Sequence, residues 1–94
     1  MPSVFKVLGF FVYFWSNEGK PLEPIHVHVS KKISPSGSKF WLYSDGSIHL
    51  ESNGARLTET ELRKIQRILK AHFDEIVFCW EVYFKVKAVY KDQL

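Results

Sequence analysis

The hydrophobic pattern of this 94-residue chain changes its period once, after Leu57. Up to that point apolar residues alternate with polar ones or fill both faces of an extended segment, which is the pattern of β-strands. Beyond it, Leu62, Ile65, Leu69, Phe73, Ile76, Trp80 and Phe84 step by three or four and keep one helical face for over 20 residues. A chain written this way places a sheet first and helices after it. The helical stripe must bury against something, and the apolar side of the sheet is the available surface. Short loops between consecutive strands favour antiparallel pairing. The expected fold is therefore α+β: a two-layer structure with a mainly antiparallel four-stranded sheet followed by two C-terminal helices, in the order β-β-β-β-α-α.

The first strand is read as Ser3 to Trp15, rich in Val, Phe, Tyr and Trp and apolar on both faces, and so as a central strand covered twice. The segment Asn17 to Pro24 is a loop, with a polar Ser16-Asn17-Glu18-Gly19 turn. Ile25 to Ser30 alternates cleanly, with Ile25, Val27 and Val29 on one side and His26 and His28 on the other. Lys31 to Ser38 reads as a mobile polar loop, and Lys39 to Tyr43 as the third strand. Ser44-Asp45-Gly46 is a tight-turn signal, and Ser47 to Ser52 is the returning strand. Thr58 and Glu61 have the spacing of a capping box. One straight helix over residues 58–87 would be about 45 Å long, against a domain about 25–30 Å across. A break is therefore expected between Ala71 and Asp74. Residues 88–94 are expected to fray, leaving an ordered core of about 3–87 within a single domain spanning 1–94.

Composition narrows the function classes. Eight Phe, four Tyr and three Trp supply the bulk for a core in a small domain. The net charge of +3 is mild and does not demand nucleic acid, so such a partner is only weakly supported. A single cysteine, Cys79, excludes an internal disulfide and Cys-based zinc modules. The apolar run Val7 to Trp15 falls far short of the roughly 18–20 residues a membrane span requires, and no small-residue cleavage site follows it. The chain accordingly reads as cytoplasmic, with no membrane partner.

One constellation carries chemistry. His26 and His28 share a strand face at a backbone separation of roughly 6–7 Å. With His49 or Glu51 from a neighbouring strand, their nitrogens could converge on a divalent metal, making His26, His28 and His49 the candidate ligands. The two rings could instead act as a general acid and base, which makes His26 and His28 the candidate catalytic residues. The plainer reading makes them amphipathic strand residues covering aromatics, and no cofactor is required. On that reading the face bearing His26, His28, Trp41, Tyr43, His49 and Glu51 is a binding surface, with a second copy of the chain or a small protein as its partner. The fold is expected to survive removal of both His26 and His28. No Asp or Glu adjoins either histidine to orient its ring, and no nucleophile accompanies them. Arg63, Lys64, Arg67 and Lys70 read as the solvent face of the first helix.

The stretch Gly9-Phe10-Phe11-Val12-Tyr13-Phe14-Trp15-Ser16-Asn17-Glu18-Gly19, followed by Pro24-Ile25-His26-Val27-His28-Val29, resembles the signature of a bacterial family known as domain of unknown function 4160. Members typically carry an Asn-Glu-Gly turn and a Pro-Pro-His-x-His-Val strand. Here Ile25 replaces the second proline, and His72 stands where relatives usually have an Asn capping the second helix. Lys39-Phe40-Trp41-Leu42, Ile48-His49-Leu50-Glu51-Ser52, the Thr58 to Ile68 helix and the Trp80…Tyr83-Phe84 ending match as well, so the resemblance spans roughly residues 4–84. It implies a small bacterial cytoplasmic protein of no established activity. Family members are often encoded beside another small protein, which suggests a binding or regulatory module within a paired, toxin–antitoxin-like system. The alternative is a metal-dependent or acid/base hydrolase, nuclease-like in its extreme form, built on the His-x-His strand.

Overall fold

The structure is a computed structural model and describes residues 3–15 and 23–94. Five strands form one antiparallel meander in the order β1 (Ser3–Val7), β2 (Phe10–Tyr13), β3 (His26–Ser30), β4 (Ser38–Leu42) and β5 (Ile48–Asn53). Helices α1 (Glu59–Ala71) and α2 (Phe73–Phe84) follow. The α+β order is as expected, but the sheet has five strands where four were expected. The Asn-Glu-Gly turn and the start of the loop after it lie outside the described residues.

The extra strand comes from splitting the first apolar run. Leu8 and Gly9 both sit at positive φ, 53° and 80°, and Val7 pairs directly with Phe10 across them. Two successive positive-φ residues are the requirement of the type I′ hairpin turn, whose twist matches that of the strands it joins. Gly9 suits this conformation and Leu8 does not, so the apolar run concealed the turn. The turn also resets the phase of β1. Phe5 faces Val12 and Val7 faces Phe10 on the core side, while Lys6 faces Phe11 and lies 4.9 Å over its ring. Both flanks of β2 are thus supplied from within the chain, and Val12, Tyr13 and Phe14 are buried. Leu8 is 58% exposed and so packs little. Replacing it by Asn should therefore stabilise the fold. Relief of a left-handed Leu is worth about 1 kcal/mol, or a rise of about 4–8 °C in a thermal melt. An unchanged or lower midpoint would mean that the turn is not left-handed.

The core lies where the helical stripe predicts it. Ile65 and Leu69 of α1 and Ile76 and Trp80 of α2 are buried with Val12, Val27, Val29, Phe40 and Leu42 of the sheet. Thr58 and Glu61 close the capping box: the Glu61 N–H donates to Thr58 Oγ1 (3.1 Å) and the Thr58 N–H to Glu61 Oε1 (2.9 Å). The helical break falls at His72, whose N–H still reaches back to Ile68 and Leu69. No helix among the described residues is long and apolar enough to cross a membrane.

Two segments expected to be loose are tied down. The Tyr13 hydroxyl donates to the Ser34 carbonyl (2.6 Å) and accepts from the Ser34 N–H (3.1 Å), which anchors the loop between β3 and β4. The chain after α2 does not fray. The Ile25 N–H donates to the Val89 carbonyl (2.8 Å), Tyr90 stacks on Phe73, and the Asp92 carboxylate receives both the N–H and the hydroxyl of Ser44. These bonds all reach residues distant in sequence, so local composition carries no sign of them.

Candidate functional site

Alternation along β3 sends Ile25, Val27 and Val29 into the core and His26 and His28 to the opposite side, as the sequence requires. That opposite side is not open. His26 is only 4% exposed and His28 only 8%, and Trp41, paired with His26 on β4, is buried as well. The six candidate residues therefore form two tiers. His26, His28 and Trp41 make a buried tier, while Tyr43 is half-buried and His49 and Glu51 are exposed.

The buried tier is a wall of aromatic rings. His26 and His28 meet edge to face at 5.3 Å. His26 also meets Trp41 at 5.5 Å and Trp80 of α2 at 5.4 Å, while His28 stacks on Tyr13 at 5.7 Å. His26 Nδ1 lies 2.9 Å from the Pro24 carbonyl. A carbonyl can only accept, so Nδ1 carries the proton in the neutral ring and Nε2 is left as the basic nitrogen. Burial pushes the His26 pKa down to about 4, against the opposing pull of the Pro24 bond, and the Lys39 charge pushes the same way. Burial lowers His28 too, although the Gly37 backbone favours its protonated form. No hydrogen bond of ordinary geometry reaches His28 Nδ1 among the described residues. Both rings are thus neutral at neutral pH.

Polar groups frame this wall. Lys39, opposite His28 in the register, donates to Glu23 Oε1 at 2.7 Å and sits 4.4 Å over the Trp41 ring. Lys91, from the docked C-terminal segment, lies 4.7 Å from the same ring. The Trp41 indole N–H donates to Glu51 Oε1 at 2.6 Å. Sequence reasoning passed over Glu23 and Lys91. Lys39 was readable as the polar member of β4 on the histidine side. Glu23 and Lys91 reach the site from segments without periodicity, and no pattern announces them.

The exposed tier is separate. Trp41 lies between His26 and His49 in the strand register, so the two histidines are two strand spacings apart, about 9–10 Å at the backbone. His49 stacks on Tyr43 at 3.8 Å. Its Nε2 is 2.8 Å from the Ser47 hydroxyl, which in turn donates to Asp45. The carboxylate here holds the serine rather than the imidazole, an order that orients the turn and does not activate a nucleophile. Among the described residues, no group of three or more His, Cys, Asp or Glu could hold a metal ion. The structure therefore brings His26 and His28 together and does not bring His49 to them.

One family model matches residues 9–81, under the description Domain of unknown function (DUF4160). No curated protein and no solved structure matches the chain.

Proposed function

This chain belongs to the domain of unknown function 4160 family, and we propose that it is a binding and regulatory module of the bacterial cytoplasm. Its recognition strip is Tyr43, His49 and Glu51, and its partner is a small protein encoded beside it, in a toxin–antitoxin-like pair. The observation that carries this reading is the fixed Glu51. Its carboxylate is held by the indole of a buried Trp41 flanked by two lysines, so an exposed charge stands in a preset position beside the stack of His49 on the half-buried Tyr43. Rigid aromatic and charged groups on a strand edge suit protein recognition, where few well-held anchors carry most of the energy. The buried histidines serve this module as its backing wall. A general base works best with a pKa near the operating pH, and His26 is displaced far below it.

Co-expression with the product of the adjacent reading frame should give a stable complex. Tyr43→Ala and Glu51→Lys should each weaken it by about tenfold or more, with both variants still melting cooperatively. The absence of a complex, or a complex indifferent to both changes, would sink the proposal.

The metal-dependent hydrolase is kept as a second reading for one reason. The Pro24 bond turns the basic Nε2 of His26 outward from its backbone anchor, as ligating histidines are commonly held. Zinc should then raise the melting midpoint by mass action, and His26→Ala should abolish the rise. A midpoint indifferent to zinc removes this reading and leaves the binding module standing.

A further inference from the structure

The core takes only one side of α2. Ile76 and Trp80 are buried, whereas Phe78 is 69% exposed and Val82 59%. At about 100° per residue, Glu75, Phe78 and Val82 form a single stripe opposite Trp80, and Lys85 follows directly as the left-handed residue that caps the helix. All four residues are exposed. Phe78 and Val82 also line a groove of about 260 Å³ towards β1, together with Val4, Phe14 and Cys79. A contiguous apolar surface of this kind on a small chain marks an interface.

The order of the stripe identifies its occupant. From the first turn of α2 to its C-terminal cap the order is acid, apolar, apolar, base. Laid antiparallel on a second copy, Glu75 meets Lys85, Phe78 meets Val82, and both pairs recur on the other side of a two-fold axis. We propose that the outer face of α2 is a homodimer interface, formed by two antiparallel α2 helices about this axis. Such a contact is isologous and closes on itself. The charges at the helix ends agree with it, because the acidic first turn of one α2, with Asp74 and Glu75, faces Lys85 at the cap and Lys87 just beyond it on the other. Glu75 uses Oε1 on His72 at 2.7 Å, which leaves its second oxygen for the partner's lysine. This surface is independent of the histidine face, and the inference does not rest on the reading of that face.

Sedimentation equilibrium on the full chain tests the proposal. A dimer is expected. Phe78→Glu should raise its dissociation constant by at least about thirtyfold, with the circular dichroism spectrum and melt of a folded protein. If that variant does not fold, Val82→Lys makes the same test one turn further on. Glu75→Lys and Lys85→Glu should each weaken the dimer by about tenfold, and the double variant should recover most of the loss. A wild-type chain that stays monomeric overturns the proposal. So does a dimer indifferent to both apolar substitutions, or a double charge variant no tighter than the two singles.

Discussion

Val27→Asp is expected to abolish the native fold. Val27 is completely buried at the centre of β3, opposite Phe40, in one cluster with Ile65, Leu69 and Trp80. Those neighbours are hydrocarbon or aromatic and leave a carboxylate no partner. An unpaired ionised group in such a site costs several kcal/mol even after its pKa shifts to neutralise it. The whole stability of a domain this size is about 5–14 kcal/mol. The loss of the valine contacts adds to that cost. The cooperative thermal transition and the near-ultraviolet dichroism should both disappear. Ser52→Asp, on an exposed position of the edge strand β5, should change stability by no more than about 0.5 kcal/mol. A Val27→Asp variant that melts cooperatively near the wild-type midpoint would put the register of β3 off by one residue, exchanging its core and histidine sides.

Where a residue's fate depends on its near neighbours in sequence, this fold is readable without coordinates. The sides of β3, the Thr58–Glu61 cap and the helical break at His72 follow from alternation, hydrogen-bonding side chains and length. The Leu8–Gly9 turn failed that test because Leu8 occupies a conformation its side chain disfavours. The cost is met by pairing β1 to β2, which local propensity does not see. The docked C-terminal segment is illegible for a similar reason. Its bonds run to Ile25 and Ser44, and its cation to Trp41. At the site, alternation placed His26 and His28 on a common side but said nothing of what covers that side. Removal of both histidines therefore bears differently on the fold than the sequence suggested. The rings are part of a packed layer, and their loss would leave cavities against Trp41, Trp80 and Tyr13.

The apolar segment from Ser3 to Trp15 also reads differently in three dimensions. As a single strand it would have needed cover on both of its faces. As a hairpin it covers itself, with Phe5 and Val7 joining Phe10 and Val12 over the core and Tyr13 sealed beneath the Ser34 loop. The exposed bulk of the molecule has moved to α2, where Phe78 and Val82 stand outside the core. That leaves the sheet side to Tyr43, His49 and Glu51, so the two proposed recognition surfaces share no residue.

Acidification should weaken the fold well before its carboxylates titrate. His26 is neutral and buried, with a folded-state pKa near 4 against an ordinary value of 6.5. The unfolded chain therefore takes up a proton at a higher pH than the folded one does. Stability from this group is fully present above pH 6.5, falls as the pH drops from 6.5 towards about 4, and levels off below that. The gap between the two values corresponds to about 3 kcal/mol, a large share of the total. Burial of His28 adds to the loss in the same direction. Glu23, which its hydrogen bond from Lys39 holds below the ordinary carboxylate value of 4.5, contributes only at lower pH, so the two effects separate. Urea unfolding at several pH values from neutrality to about 4.5 should show free energy falling with pH over this window. His26→Gln can keep a donor towards Pro24 but cannot titrate, so it should cut the slope and leave the remainder to His28. A wild-type stability that is flat or rises as the pH falls through this range would mean that His26 is protonated in the folded protein. The buried tier would then be a charged site facing Glu23, not a neutral wall behind the exposed strip.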